Sequence, residues 1–343
     1  MILSIRQHVA LLVLLTAAGA VPAAPFAYLT DTDANEVAVV DTMTNTVTTI
    51  IPVGSGPFGV AVNSAGSRVY VGNSAANTLS VIDTASNSVI ATVPVGQFPY
   101  AVAANPSGTR VYVVNNTDHT VSVVDAATNS VTASITVGIN PGGIVVNSGG
   151  TRVYVTDDNG VTVIDTGNNS VIGTIALIGG INGQGVAVNP AGTRLYVTDT
   201  GNNRVQVIDT GANAVIATIP VGYLPYGIAV NPAGTRIYVT NESHTSNSVS
   251  VINAATNTVV ATVGVGATPV GIGVGPSGTL VYVANETGNS VSVIDTASNA
   301  VTATITLGAG AHPTAFGQFI APTATGFGVS IERSRSAVEA CGA

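Results

Sequence analysis

The chain has 343 residues, a hydrophobic fraction of 46%, a charged fraction of 8% and a formal net charge of −8. This balance excludes an intrinsically disordered chain, which needs low hydrophobicity and high charge. It also argues against duplex nucleic acid as a partner, because such binding relies on Lys and Arg contacts with phosphates and this sequence contains no lysine.

The N-terminal residues have the features of an export signal. Arg6 gives a positive start, residues 9–18 form an apolar run, and residues 18–20 (Ala-Gly-Ala) fit a cleavage pattern of small residues. Cleavage after Ala23 fits nearly as well, so we assign residues 1–23 to a signal peptide and expect a periplasmic, secreted or cell-surface protein. An uncleaved N-terminal anchor is the alternative. No other stretch has the roughly 20 apolar residues of a membrane helix, so none is predicted in the mature chain.

Beyond the signal, one sequence unit recurs along the chain. Each copy contains a tyrosine strand, with five intervals of 42 residues and a last one of 44, at Tyr28, Tyr70, Tyr112, Tyr154, Tyr196, Tyr238 and Tyr282. A fixed period of this length indicates a repeat architecture. Each full period reads as four short strands, here called a to d, with turn residues between them. Strand b carries the tyrosine.

Four short antiparallel strands per period are typical of a β-propeller blade. Seven periods therefore predict an all-β protein, a seven-bladed β-propeller of four-stranded antiparallel blades over residues 26–320. A stacked β-solenoid is the alternative, but its repeats are shorter and need capping units at both ends. An Asn-Pro-Ala-Gly turn, as at residues 231–234, joins strands a and b, because Asn and Pro favour the turn and Gly closes the hairpin.

The ring is predicted to close by pairing its two ends. The chain has six copies of the a–b turn but seven tyrosine strands, and residues 26–31 enter directly at strand b. Residues 312–320 begin like a strand a, so we expect residues 314–320 to complete the first blade and leave no free inner edge. Residues 321–343 lose the repeat and are assigned to a C-terminal tail, which contains the only cysteine, Cys341. A monomer is expected.

In such a blade the a–b and c–d turns lie on one side of the disc, here the turn face. On this face an arginine opens strand b and an aspartate ends strand c, so antiparallel pairing places the two side by side. We interpret them as turn caps and cross-strand pairs, and not as catalytic carboxylates, because the pattern repeats in blade after blade. These residues are Arg68, Arg110, Arg152, Arg194, Arg236, Asp83, Asp125, Asp165, Asp209 and Asp295.

The b–c turns and d–a connections lie on the opposite side, here the loop face, which varies from blade to blade. It carries nine of the 17 acidic residues, the three histidines of the mature chain, and aromatic residues next to prolines. Variation on a regular scaffold is where a binding function is expected. The candidate binding residues are Asp31, Asp33, Phe58, Phe98, Tyr100, Asp118, His119, Asp157, Asp158, Asp199, Tyr226, Glu242, His244, Glu286 and His312.

Three interpretations of the loop face stay open: solvated loop tips, a cation site, or a histidine-based metal or acid–base site. Its carboxylates make Ca²⁺ the ion to consider, although no loop has the spacing of a calcium-binding loop. No cofactor is predicted. Glycine-rich runs such as residues 264–271 recur at the d–a crossings without a following helix, so they do not form a dinucleotide-binding loop.

The repeat resembles a known family. Arg-Val-Tyr-Val-Thr at 152–156, Arg-Ile-Tyr-Val-Thr-Asn at 236–241 and Ser-Val-Ile-Asp-Thr at 80–84 and 292–296 look like the YVTN-type β-propeller repeat. The resemblance covers about residues 26–320 and implies similarity to propellers of prokaryotic surface-layer and periplasmic proteins. More distant propellers include lactonases and quinohaemoprotein subunits, whose motifs do not align with this chain. The lack of lysine also argues against the single-stranded DNA binding attributed to some periplasmic relatives.

Two functional hypotheses come from the sequence. The leading one is an exported, non-enzymatic propeller scaffold that presents its loop face to a protein, a glycan or a cell-surface partner. The alternative is a cation-dependent enzyme, similar to a lactonase or a lyase, with its site on the same face near the central channel.

Overall fold

The structure is a computed structural model that describes residues 25–179, 183–243, 247–308 and 310–322. The predicted signal peptide, residues 323–343 of the predicted tail with Cys341, and the candidate binding residue His244 lie outside these described ranges.

The described residues contain twenty-seven strands arranged as seven antiparallel sheets. Blade one contains β1 (Phe26–Asp31), β2 (Glu36–Asp41) and β3 (Thr46–Pro52). Blade two contains β4 (Pro57–Val62), β5 (Arg68–Asn73), β6 (Thr78–Asp83) and β7 (Ser88–Pro94). Blade three contains β8 (Pro99–Ala104), β9 (Arg110–Asn115), β10 (Thr120–Asp125) and β11 (Ser130–Thr136). Blade four contains β12 (Ile144–Val146), β13 (Arg152–Asp157), β14 (Gly160–Asp165) and β15 (Ser170–Ile175). Blade five contains β16 (Gly183–Val188), β17 (Arg194–Asp199), β18 (Arg204–Asp209) and β19 (Ala214–Pro220). Blade six contains β20 (Pro225–Val230), β21 (Arg236–Asn241), β22 (Ser248–Asn253) and β23 (Thr258–Gly264). Blade seven contains β24 (Pro269–Val274), β25 (Leu280–Asn285), β26 (Ser290–Asp295) and β27 (Ala300–Thr306). One 3-10 turn, Thr200–Asn202, joins β17 to β18.

The predicted seven-bladed β-propeller is confirmed. In each complete blade the strands pair in chain order from a to d. The seven tyrosines of strand b are each at most 1% exposed and lie between the sheets. Strand d alternates exposed and partly buried side chains, which places it on the rim, whereas strand a is largely buried and faces the central channel.

The a–b turns show why their sequence recurs. The asparagine that opens five of the six turns accepts hydrogen bonds from backbone N–H groups four and five residues later, as Asn231 does from Thr235 and Arg236 at 2.8 and 3.0 Å, while Gly275 opens the sixth. The glycine of each turn has a φ between 66° and 73°, a left-handed conformation that favours glycine. The asparagine therefore fixes the start of strand b, and the glycine permits the reversal.

The first blade is completed by the end of the described chain, as predicted. The Tyr28 N–H donates to the Phe319 carbonyl at 2.9 Å, and the Ala321 N–H donates to the Phe26 carbonyl at 2.8 Å. Isolated bridges join Ala27 to Ile320 and Asp31 to Pro313. The two bridges are four residues apart on β1 and seven apart on the closing side, so this segment bulges instead of forming a regular strand.

The closing segment, residues 312–322, also contacts the second blade. The Val60 and Val62 N–H groups donate to the Phe316 and Gln318 carbonyls at 3.0 and 2.9 Å. Its contacts continue to Pro322, which lies against Gly66 of the first a–b turn. The segment therefore joins blades one and two at the inner edge of the ring.

Candidate functional site

The loop face is held by a repeated hydrogen bond between neighbouring connections. A left-handed residue of the b–c turn accepts the N–H of a left-handed residue in the following d–a connection. Asn77 accepts from Phe98 at 2.9 Å and Asn203 from Leu224 at 3.0 Å. His119, with a φ of 53°, occupies the same turn position, and its Nδ1 accepts the N–H of Asn140 at 3.2 Å. This candidate histidine therefore has a structural partner.

Three of the candidate carboxylates lie inside the blades. Asp31, Asp157 and Asp199 end strand b and are 6%, 1% and 0% exposed. Asp31 accepts the N–H groups of Asp33 and Ala34, and Asp157 accepts that of Asn159 at 2.8 Å. Their oxygens serve the b–c turns, so these three side chains are not part of the exposed binding surface that the sequence suggested.

Blade five replaces a neutral polar cluster with a charged one. In blades two, three, six and seven an asparagine at the end of strand b donates to hydroxyls of strand c, as Asn73 does to Ser80 at 2.9 Å. In blade five Asp199 takes this position. Its Oδ2 accepts from Arg204 Nε at 2.7 Å and from Gln206 Nε2 at 2.8 Å. Arg204 and Gln206, which stand where the other blades have hydroxyl residues, therefore satisfy the buried charge of Asp199.

An aromatic cap closes the channel at the loop face. Phe58 stacks on Tyr100 with ring centroids 4.5 Å apart, and Phe316 of the closing segment contacts Phe58, Tyr100 and Tyr226. The hydroxyls of Tyr100 and Tyr226 form a hydrogen bond between blades three and six. Phe98 adds an outer ring 6.3 Å from Tyr100. We call these five residues the aromatic cap.

Burial controls the acid–base behaviour of the two cap tyrosines. Burial first, and then the charges of Glu242 and Glu286, raise the pKa of Tyr100 to about 12, against the lowering effect of the Tyr226 hydrogen bond. Burial also raises the pKa of Tyr226 well above its usual range. Both phenols are therefore neutral near pH 7, and neither serves as a general base there.

Carboxylates and a histidine gather on one side of the aromatic cap. His312 Nε2 lies 3.5 Å from Asp33 Oδ2. Burial raises the pKa of Glu286, which His312 lowers and Asp33 raises. Together with Glu242, these residues belong to blades six, seven and one, and we call them the acidic arc. Their charge favours positively charged partners.

Two further candidate carboxylates hold the d–a connections of blades three and four. Asp118 Oδ2 accepts the N–H of Gln97 at 2.7 Å, and Asp158 Oδ2 accepts from Asn140 Nδ2 at 2.7 Å. Both lie on the exposed side of the loop face, where they shape the loops next to them.

Large apolar side chains project from the remaining part of the loop face. Four successive d–a connections, from blade two to blade six, carry the exposed residues Phe98, Ile139, Ile178, Tyr223 and Leu224, which we call the apolar arc. Among exposed large apolar residues of described connections, only Met43 lies on the turn face. Ile139, Ile178, Tyr223 and Leu224 are not among the sequence-based candidates, which are charged or aromatic residues. A signal was present, since each lies where other repeats have a small or polar residue.

Two residues of the apolar arc adopt a backbone conformation that does not suit them. Phe98 and Leu224 have φ values of 56° and 52°. The equivalent positions in other blades are Gly56, Asn140 and Thr268, of which the glycine and the asparagine are residue types that tolerate this region. Large apolar residues at positive φ are strained, and such strain is found at functional sites.

The predicted pairs of the turn face are opposite each other in register, from Arg68 and Asp83 to Arg236 and Asn253. Among the described residues only Arg68 forms the expected ion pair, with Asp83, while Arg110 donates to the Thr166 carbonyl of the next blade. The aspartates accept N–H groups of the c–d turns, as Asp125, Asp165, Asp209 and Asp295 do. The Ser86 hydroxyl, followed by backbone and Arg68 contributions, lowers the pKa of Asp83.

Within the four described ranges, no group of three or more His, Cys, Asp or Glu side chains is arranged to hold a metal ion. The same ranges contain no helix with the length and apolar character needed to cross a bilayer.

Comparison with known proteins supports the repeat architecture. A family model for the NHL repeat matches residues 184–208, which contain most of β16 to β18. No curated protein matches the chain.

Several solved structures share the fold. A chain of Kuenenia stuttgartiensis hydrazine synthase is 25% identical, with a TM-score of 0.66 over 70% of this chain and 76% of that one. A functionally unknown protein from Desulfotomaculum acetoxidans DSM 771 is 18% identical, with a TM-score of 0.72 over 86% and 98%. Dihydro-heme d1 dehydrogenase NirN, solved in complex with DHE, is 15% identical, with a TM-score of 0.62 over 84% and 65%. The chain is therefore a β-propeller repeat protein.

Proposed function

We propose that this propeller is an exported scaffold that binds a protein partner through its loop face, in the manner expected of YVTN-type surface-layer and periplasmic propellers. The observation that carries the proposal is the division of that face into an apolar arc and an acidic arc around the aromatic cap, which adjoin where the Glu242 N–H donates to the Leu224 carbonyl at 3.0 Å. An exposed apolar surface next to charge of one sign is a common feature of protein interaction sites.

The two arcs specify the chemistry of the partner. Phe98, Ile139, Ile178, Tyr223 and Leu224 offer apolar contact area across four neighbouring connections. Asp33, Glu242 and Glu286 lie in blades one, six and seven, on a chain whose formal charge is −8. The complementary surface presents leucine or aromatic side chains beside lysine or arginine. Aromatic anchors in such a patch supply most of the binding energy.

The strained backbone of Phe98 and Leu224 separates a binding role from a structural one. If these side chains only stabilised the fold, replacing them by the residue of an equivalent blade would cost stability. Asparagine occupies the equivalent position at Asn140 with a φ of 51°. We therefore expect Phe98→Asn and Leu224→Asn to keep the unfolding free energy within about 0.5 kcal/mol, as exposed substitutions do, while partner binding is lost.

The test is a selection of random peptides displayed on phage against the immobilised full chain. We expect enriched peptides to combine apolar residues with lysine or arginine, and to bind the Leu224→Asn variant at least tenfold more weakly. Ile216→Ser is the matched control, because Ile216 is 47% exposed on the rim and Leu224 is 45% exposed on the loop face. Selection of acidic peptides, or equal binding by the Leu224→Asn variant, would contradict the proposal.

The proposed export rests on the sequence of residues 1–23 and is tested separately. The mature protein is expected in the envelope or medium fraction, with an N-terminus after Ala20 or Ala23. A cytosolic protein that retains Met1 would refute export without affecting the binding proposal.

A further inference from the structure

The centre of the ring contains a second surface that the loop face does not include. A cavity of about 560 Å³ is lined by the inner strands of blades two to seven and by the closing segment. Its lining runs from Phe316 of the aromatic cap to the a–b turns, where Pro106, Pro190 and Pro232 are exposed. Since the Tyr100–Tyr226 hydrogen bond spans the other end, the channel is a blind well that opens on the turn face.

The mouth of the well is preformed. The a–b turn proline of one blade lies against the a–b turn glycine of the next blade. A Cβ on Gly234 would be 3.2 Å from Pro190 Cδ, and a Cβ on Gly278 would be 3.5 Å from Pro232 Cδ. The same contact recurs between Pro106 and Gly150. These interlocked turns form a collar around the opening. A rigid opening lowers the entropy cost of admitting a ligand.

The wall of the well is neutral and mainly apolar, with small residues interspersed among valine and isoleucine. No Asp, Glu, Lys, Arg or His side chain is among the described residues that line it. Ala61, Ala103, Ala187, Ala229 and Gly273 are among the residues that line it. These residues leave the space open, and a cavity of this size with an apolar wall is typical of small-molecule sites.

The polar groups at the rim are mostly committed to the protein itself. The Asn105 side-chain oxygen accepts the N–H groups of Thr109 and Arg110, both at 2.9 Å, and the Asn231 side chain serves its own turn in the same way. The Ser64 hydroxyl donates to the Pro106 carbonyl at 2.7 Å. These groups therefore do not offer hydrogen bonds to a ligand.

Two lining side chains, Ser148 on the rim and Gln318 of the closing segment, form no hydrogen bond within the described part of the chain, and Gln318 is the only amide of the two. It lines the cavity and is exposed, and its backbone carbonyl is fixed by the hydrogen bond from Val62. Its side-chain amide forms no hydrogen bond within the described part of the chain. An amide has both donors and an acceptor, so it is a polar handle for one hydrogen-bonding group of a ligand.

We propose that the well binds a slender neutral molecule with a hydrocarbon body and a single hydrogen-bonding head group, such as a long-chain alcohol, ester or amide. The hydrocarbon body contacts the alanine and valine wall, and the head group bonds to the Gln318 amide. A carboxylate head group is disfavoured, because no described residue that lines the well is positively charged and the chain already carries a formal charge of −8. The site is independent of the loop face.

The test measures displacement of the neutral fluorophore N-phenyl-1-naphthylamine from the full chain by 1-dodecanol and by dodecanoate at pH 8. We expect 1-dodecanol to displace the fluorophore and dodecanoate to do so at least tenfold more weakly. Gln318→Leu is expected to weaken 1-dodecanol binding about fivefold, the loss of one hydrogen bond. Failure of the fluorophore to bind, or equal displacement by the two compounds, would overturn the proposal.

Two filled-well variants locate the binding. Ala229→Leu and Ala103→Leu narrow the well from different blades and should each lower affinity about tenfold or more. Ala212→Leu, on an exposed c–d turn of the same face, is the control with unchanged affinity. Thermal melting establishes that each variant is folded, and unchanged binding by both folded filled-well variants would overturn the proposal. Binding that appears only after removal of residues 323–343 would assign the well to the chain's own C-terminus and overturn it as well.

Discussion

The closing segment provides the sharpest test of how this ring is held together. Phe319 is 0% exposed and packs in the core formed with Tyr28, Leu29 and Tyr282. Replacing a buried phenylalanine by alanine removes its transfer free energy and leaves a cavity, which together cost about 3–5 kcal/mol. Native domains have about 5–15 kcal/mol of stability in total. Phe319→Ala is therefore expected to remove a large fraction of the unfolding free energy although it lies near the end of the described chain.

The measurement is urea denaturation followed by far-ultraviolet circular dichroism at 25 °C. Phe98→Ala is the control, because it makes the same chemical change at a side chain that is 43% exposed. We expect the control to change the unfolding free energy by no more than about 0.5 kcal/mol. A loss below about 1 kcal/mol for Phe319→Ala would show that the closing segment is not a structural part of the first blade.

Truncation of the chain tests the backbone hydrogen bonds of the closing segment. The closing segment forms five backbone hydrogen bonds of 3.0 Å or shorter with residues 26–30 and 60–62. Each contributes about 1 kcal/mol. A chain that ends at Leu307 is therefore expected to aggregate or to melt far below the intact protein, and an unchanged melting temperature would refute the closure.

The remaining predictions concern charge. Arg204→Ala leaves the buried Asp199 carboxylate without its cation and should cost about 3 kcal/mol in urea denaturation, whereas the triple change Asp199→Asn, Arg204→Thr and Gln206→Ser rebuilds the neutral cluster of other blades and should recover most of this loss. Burial raises the pKa of Glu286, so the protonated side chain stabilises the folded state below the unfolded pKa of 4.5, and this stabilisation is lost as pH rises through the folded pKa. Glu286→Gln should therefore raise the melting temperature at pH 7 but not at pH 4. Burial raises the pKa of Tyr100 to about 12, so its contribution to the unfolding free energy is lost as pH rises from 10 towards 12, and this loss should be smaller in Tyr100→Phe. Calcium at millimolar concentration should leave the melting temperature unchanged; a clear upward shift would support the cation-dependent alternative.

Much of the fold could be predicted because the repeat encodes it locally. The fixed period, the Asn-Pro-Ala-Gly turns and the buried tyrosines define each blade within about 42 residues. The mismatch between six turns and seven tyrosine strands also identified the closing segment. The path of that segment was less predictable, since the bulge between Pro313 and Ile320 depends on contacts with the neighbouring blade.

The candidate sites were harder to predict because they depend on closure of the ring. Tyr100 and Tyr226 are 126 residues apart in sequence and meet only across the channel. Asp199 was assigned to a loop, yet its burial results from the end of strand b and from Arg204 and Gln206 on strand c. The sequence does not predict the well, because its wall consists mainly of alanine, glycine, valine and isoleucine residues that carry no chemical signal.

The two faces of the propeller would thus have different tasks. Under our proposals the loop face contacts a protein partner through its apolar and acidic arcs, while the turn face admits a neutral small molecule into the well. The aromatic cap separates the two sites, and Phe316, a member of the cap, also lines the well.

The most direct test of the loop-face proposal is amide hydrogen–deuterium exchange of the full chain with and without a peptide selected against it. We predict protection at the d–a connections 95–98, 137–143, 176–179 and 221–224, with no change at the a–b turns 105–108, 189–192 and 231–234. Protection at the a–b turns with the d–a connections unchanged would place the partner on the opposite side of the disc and contradict the account.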